Sequence, residues 1–165
     1  MSAMVIDENV LIVAEKQAPD PHTNDACIRS CIQALRDARD QLIVLDTRGL
    51  MMRKYRKQLK PLQPNWLGSE FLMWLESNQF RAERCERVTV TPFETSFAEV
   101  PLELRVPDGA NQIFDLDDHI WLAVAKASVN NSVIVNATDT DWHHWRDCLE
   151  RHGFKIQFLC PELMT

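Results

Sequence analysis

Glycine is scarce in this chain, with only 4 among 165 residues. There is no G-x-x-x-x-G-K-[ST] phosphate loop and no G-x-G-x-x-G dinucleotide fingerprint, so neither nucleotide cradle is on offer. No G-x-S-x-G elbow supports a serine hydrolase. Asp7-Glu8-Asn9 is not the D-x-D expected of an aspartyl-phosphate phosphatase. No apolar run approaches the roughly 20 residues of a membrane helix. Met1-Ser2-Ala3-Met4 lacks the basic start and cleavage site of a signal peptide. A cytoplasmic protein with no membrane contact is therefore expected. The 5 cysteines are an odd number, which forbids complete pairing within one chain. Cys27 and Cys31 fall inside a helical pattern and do not form a zinc knuckle. All five are expected to be reduced thiols, several of them in the core.

What is present fits one folded unit. Hydrophobic content is 45% and charged content 25%, both ordinary for a globular domain. The length suits one well-buried core, so residues 1–165 are expected to form a single domain. The net charge of −6 is unevenly spread. Arg48, Arg53, Lys54, Arg56, Lys57 and Lys60 crowd one segment, and Arg81, Arg84 and Arg87 follow. Such a face can contact phosphates on an acidic protein, although a solvated helix face has the same composition.

Apolar patterning predicts strands alternating with helices. Residues 4–7, 41–46, 132–136 and 155–159 read as strands, and 88–91 as a weaker one. Ile28, Cys31, Ile32 and Leu35 mark the buried face of a helix capped by Asn24. Asn9, Ser69 and Asp141 are expected to cap other helices, and Gly153 to stop one. Residues 116–128 are apolar nearly all round and should form a central helix. Residues 92–114 read as an irregular excursion. Continuous apolar strands separated by helices indicate an α/β fold with a mostly parallel sheet covered on both faces. Ligands bind beyond the carboxyl ends of the strands in such sheets.

Acidic residues stand at those ends. Asp7 follows the first strand, Asp46 the second, and Asp139 and Asp141 the strand at 132–136, while Asp115, Asp117 and Asp118 lead into the central helix. Each has an ordinary role taken singly: Asp7 and Asp46 as caps, Asp115 and Asp117 as first-turn acids, Asp139 and Asp141 as turn and cap residues. Their joint placement at one end of the sheet points to a shared site for Mg2+ or Mn2+, hard cations that take oxygen ligands. Two such ions can hold attacking and leaving oxygens in line for phosphoryl chemistry.

In this respect the chain resembles the PIN-like nuclease family. Val5-Ile6-Asp7-Glu8-Asn9-Val10-Leu11 is similar to its opening strand, acid and helix. The segment from Asp115 to Ala125 is similar to its acids heading a central helix, and Asn136-Ala137-Thr138-Asp139-Thr140-Asp141 to its last acidic turn. The resemblance implies a three-layer α/β/α sandwich, a divalent-metal site and phosphodiester hydrolysis, usually of RNA. It implies Asp7, Asp118 and Asp139 as catalytic metal ligands, Asp115 and Asp141 as further ligands, and Asn9 as the residue orienting Asp7. Arg48, Arg53, Lys54, Arg56 and Lys57 would then contact nucleic acid. Lys54 departs from the family pattern, standing where a Glu is usual. Asp46 is expected to supply the missing carboxylate, or one ion binds instead of two, or catalysis is impaired and the chain is a binding module for nucleic acid or protein. A toxin ribonuclease held by an antitoxin is a further expectation of the resemblance, and a homodimer is kept open as a partner state.

Overall fold

A computed structural model describes residues 2–107, 109 and 112–164. Five parallel strands form the central sheet: β1 (Ala3–Ile6), β2 (Leu42–Asp46), β3 (Cys85–Val88), β6 (Val133–Asn136) and β7 (Lys155–Phe158). Their order is β3-β2-β1-β6-β7. β4 (Pro92–Phe93) and β5 (Ser96–Phe97) form a separate antiparallel hairpin. The helices are α1 (Glu8–Glu15), α2 (Asp25–Ala38), α3 (Leu50–Gln58), α4 (Leu67–Asn78), α5 (Leu102–Arg105), α6 (His119–Ala127), α7 (Thr140–His144) and α8 (Arg146–Arg151).

The order fixes the layers. Parallel crossovers are right-handed, so a chain that winds from β1 to β2 and β3 lays its helices on one face. Winding the other way, through β6 and β7, lays them on the opposite face. α1, α2 and α4 accordingly pack on one another, while α6 lies against β1, β2 and β6. The winding reverses between β1 and β6, which pair from Met4↔Val133 to Ile6↔Val135. A crevice opens at the carboxyl end of such a reversal.

Both sheet faces are buried at the inner strands, as continuous runs such as Ile43-Val44-Leu45 require, whereas the edge strand β7 exposes Lys155 and Gln157. Gly68 lets α4 close on α1; a Cβ there would lie 2.4 Å from the Leu11 carbonyl oxygen. Ser69 is not the cap of α4. It sits inside the helix, and its amide and hydroxyl both donate to Glu15. The third strand lies three residues earlier than its β-branched run suggests, because Cys85 to Val88 pair with Ile43 to Asp46. Residues 92–114, of which 108, 110 and 111 lie outside the described residues, include the β4–β5 hairpin and α5 and are thus partly regular.

One cysteine expectation is corrected. Cys27, in the first turn of α2, is disulfide-bonded to Cys160, just past β7. Their sequence separation of 133 hides the pairing from any sequence pattern. Cys31, Cys85 and Cys148 are free thiols. No helix among the described residues is long and apolar enough to cross a membrane.

Candidate metal centre

The crevice is built from the ends of β1 and β6 and the start of α6. Asp7 follows β1 and caps α1, its Oδ1 accepting the Asn9 amide at 3.0 Å. Asn9 is therefore inside α1 and does not cap it. Its own side chain crosses the crevice, and Oδ1 accepts the Ala137 amide at 3.0 Å. Asn136 ends β6 fully buried; its Nδ2 donates to Asp7 Oδ2 at 3.2 Å and its Oδ1 accepts the Asp139 amide at 3.2 Å. This one amide side chain thus sets the spacing between the first and last acids. Asp139, rather than Asp141, caps α7 by accepting the Asp141 amide at 3.0 Å.

Asp118 arrives from the other side, in a 3-10 turn (Leu116–Asp118) that enters α6. Asp115 caps this turn by accepting the Asp117 amide at 3.0 Å. Asp141 Oδ2 accepts the Asp115 amide at 3.1 Å and so ties the turn to α7. His119 anchors the turn to the hairpin: its Nδ1 is 2.6 Å from Ser96 Oγ and its Nε2 2.9 Å from the Phe114 carbonyl. Burial lowers the His119 pKa, which favours a neutral ring that donates to Phe114 and accepts from Ser96.

As a result, carboxylate oxygens of Asp7, Asp118 and Asp139 all lie within 4.8 Å of one another. Asp7 is 2% exposed and Asp118 6%. Burial pushes the Asp7 carboxyl up to about 7, aided by the charges of Glu8 and Asp139 and opposed by the Asn9 amide and Asn136. Burial likewise pushes Asp118 up to about 9, aided by Asp7 and Asp139. Carboxylates that stay ionised when buried need an opposite charge beside them. A set of oxygens at this spacing fits a hard divalent ion, whose ligands stand about 2.0–2.6 Å from it, after small inward shifts.

The remaining acids take different places. Asp115 and Asp141 border the trio and are partly spent on the contacts that shape it. Asp141 is also raised, mainly by burial. Asp46 is elsewhere. Its two oxygens accept the amides of Arg48, Leu50 and Met51 at 3.1, 2.9 and 2.9 Å, which makes it the anchor of α3's first turn. Both oxygens are thus engaged by the backbone at the start of α3, and Asp46 is not one of the three acids that converge.

Glu8 is the acid that sequence reading did not assign. Its carboxyl is raised first by burial and then by Asp117, Asp139 and Asp115, while Lys54 opposes the shift. Among the described residues, no hydrogen-bond partner meets its buried Oε2. Its position beside Asp7 was the available signal, as was Asn136, a polar residue ending an apolar strand.

Lys54 interacts with Glu8, and its neighbour Tyr55 is fixed in the core. The Tyr55 hydroxyl donates to the Ile6 carbonyl at the end of β1, and its ring stacks on Trp121 of α6. Lys54, Arg53 and Lys57 line a cavity of about 370 Å³ whose other walls include Phe97, Leu116 and Asp117. Arg56 points elsewhere, with its Nε 2.6 Å from Glu76. Arg48 is exposed at the turn after β2.

Compared with protein-family models, with curated proteins and with solved structures, the chain matches none of them.

Proposed function

We propose that this chain is a divalent-metal-dependent nuclease on a PIN-like scaffold, hydrolysing phosphodiester bonds of RNA with Mg2+ or Mn2+. The observation that carries the reading is the convergence of Asp7, Asp118 and Asp139 at the reversal of strand order. Asp7 has one oxygen on its helix cap and the other on Asn136, so its orientation is fixed before any ion arrives. Asp118 and Asp139 face it, and among the described residues no cationic side chain forms an ion pair with either. When bound, the ion supplies Lewis acidity at the scissile phosphate. Arg53 and Lys57 hold the flanking backbone, and the Phe97 and Leu116 wall offers a base an apolar surface. Lys54 lines the same cavity and interacts with Glu8, and in this reading it meets the phosphate at the point of cleavage. Glu8 holds Lys54 by opposite charge.

The test is cleavage of single-stranded RNA with Mn2+ by the purified chain and by Asp118→Asn. The proposal expects metal-dependent cleavage that the variant loses while keeping its fold. Equal cleavage by both proteins overturns it. A parallel DNA substrate identifies which nucleic acid is preferred.

Lys54 also favours a second reading, a catalytically impaired module that binds nucleic acid or a protein partner. In that case Lys54→Glu creates activity where the parent has none. Loss of an existing activity in Lys54→Glu removes this second reading. A toxin role, with an antitoxin as partner, predicts growth arrest on expression that Asp7→Ala relieves.

A further inference from the structure

A second cluster of donors lies on α8 and does not depend on the nuclease reading. Cys148 and His152 are four residues apart, so one helical face presents both. Glu103, on α5, comes against that face. Donor atoms of the three side chains all lie within 4.8 Å of one another. The Glu103 carboxylate is at the centre: Oε2 is 2.8 Å from His152 Nε2, and the Cys148 thiol donates to the same carboxylate. Arg151 holds Oε1 at 2.9 Å, which turns Oε2 toward the other two donors.

This arrangement is not a thiol nucleophile. A catalytic cysteine needs imidazole next to sulfur with the acid behind the ring. Here the acid stands between sulfur and imidazole, and burial and Glu103 raise the Cys148 pKa, so its thiolate is disfavoured. Three donors of different chemistry that converge on one point suit a metal better.

We propose that Glu103, Cys148 and His152 form a Zn2+ site with three protein ligands and a fourth position open to water. One thiolate, one imidazole and one carboxylate make a borderline-soft set that favours Zn2+ and disfavours Mg2+ or Mn2+. Zn2+ displaces the Cys148 thiol proton to solvent and the Nε2 proton of His152 to solvent or to Nδ1. Bonds of about 2.0–2.3 Å require the donors to close by roughly an ångström, a side-chain adjustment for exposed Glu103 and half-buried His152. Arg151 then orients the carboxylate as an outer partner. The ion would tie α5, within the excursion between β5 and α6, to α8.

The experiment is Co2+ titration of the full chain, stripped with chelator, with its Cys27–Cys160 disulfide intact and Mg2+ in excess. Cys27 and Cys160 are then spent on each other and the aspartate centre is filled. The proposal expects a near-ultraviolet thiolate-to-cobalt band with visible bands of four-coordination, saturating at a single ion and bleached by Zn2+. Cys148→Ser abolishes the near-ultraviolet band. His152→Ala, at a half-buried helix end, keeps the test open if Cys148→Ser fails to fold. It weakens Co2+ binding by at least the roughly 10–100-fold that loss of an outer partner costs. Absence of the band, its persistence in Cys148→Ser, or unchanged affinity in His152→Ala overturns the site.

Discussion

Asp7 and Asp46 start from the same local sequence logic and end in different chemistry. Each closes a buried apolar strand, each precedes a helix, and each is almost fully buried. Asp46 faces only its own helix, whose amides take both of its oxygens. Asp7 gives one oxygen to a helix amide and turns the other into the crevice, where Asn136 steadies it and Asp118 and Asp139 confront it. The difference lies in sheet position. β2 has neighbours reached by the same winding on both sides, whereas β1 borders the reversal. A strand-end acid becomes a site residue only where the topology opens a space beside it.

Paired substitutions sharpen this contrast. Asp7→Asn keeps an oxygen for the Asn9 amide but removes the charge; Asp46→Asn removes the charge and keeps one of the two oxygens that accept α3 amides. Steady-state cleavage should fall roughly 10²–10³-fold for the first and stay within about twofold for the second. Comparable losses in both would erase the distinction. Stability should behave in the opposite sense. Asp46→Ala strips the cap from α3 and should cost about 1–2 kcal/mol in urea unfolding. Asp118→Asn relieves a buried repulsion and should leave metal-free stability unchanged or higher.

Much of this was legible before any coordinates. The alternation of apolar strands and helices gave the parallel α/β architecture, since each strand buried on both faces must read as an unbroken apolar run. Asp7, Asp118 and Asp139 stood out because acids seldom adjoin such runs. What stayed hidden depended on distance in sequence. The Cys27–Cys160 bond, the stitch from Asn136 to Asp7, and the approach of Glu103 to Cys148 each join residues that no local period connects. Asp46 misled for the converse reason: its own neighbours satisfy it, which a single acid in sequence does not reveal. Capping was misplaced at Asn9 and Asp141 because the acid two residues earlier does the work.

pH offers a milder probe of the same asymmetry. The raised carboxyls of Asp7 and Asp118 keep protons in the folded chain after the unfolded chain has lost them. Metal-free stability is therefore fullest below the unfolded value of 3.8 and falls as pH rises through about 7 and about 9. Saturating Mg2+ should flatten that decline by stabilising the ionised form. Denaturation at several pH values, with and without Mg2+, checks it; a stability that climbs with pH in the metal-free chain would contradict the buried repulsion.

The smallest effect concerns the basic helix. Lys57 lines the cavity, whereas Arg56 is paired with Glu76. Lys57→Ala should reduce the salt dependence of RNA binding by about one unit of slope, and Arg56→Ala should leave it nearly unchanged. Equal slopes for the two variants would remove Lys57 from the substrate path.

The central claim is that acids brought by three separate segments share one cation. A crystal structure soaked with Mn2+, read from its anomalous signal, tests it most directly. The prediction is Mn2+ bound among Asp7, Asp118 and Asp139, with none at Asp46. Mn2+ absent from the crevice at millimolar concentration, or bound without Asp118, would contradict it.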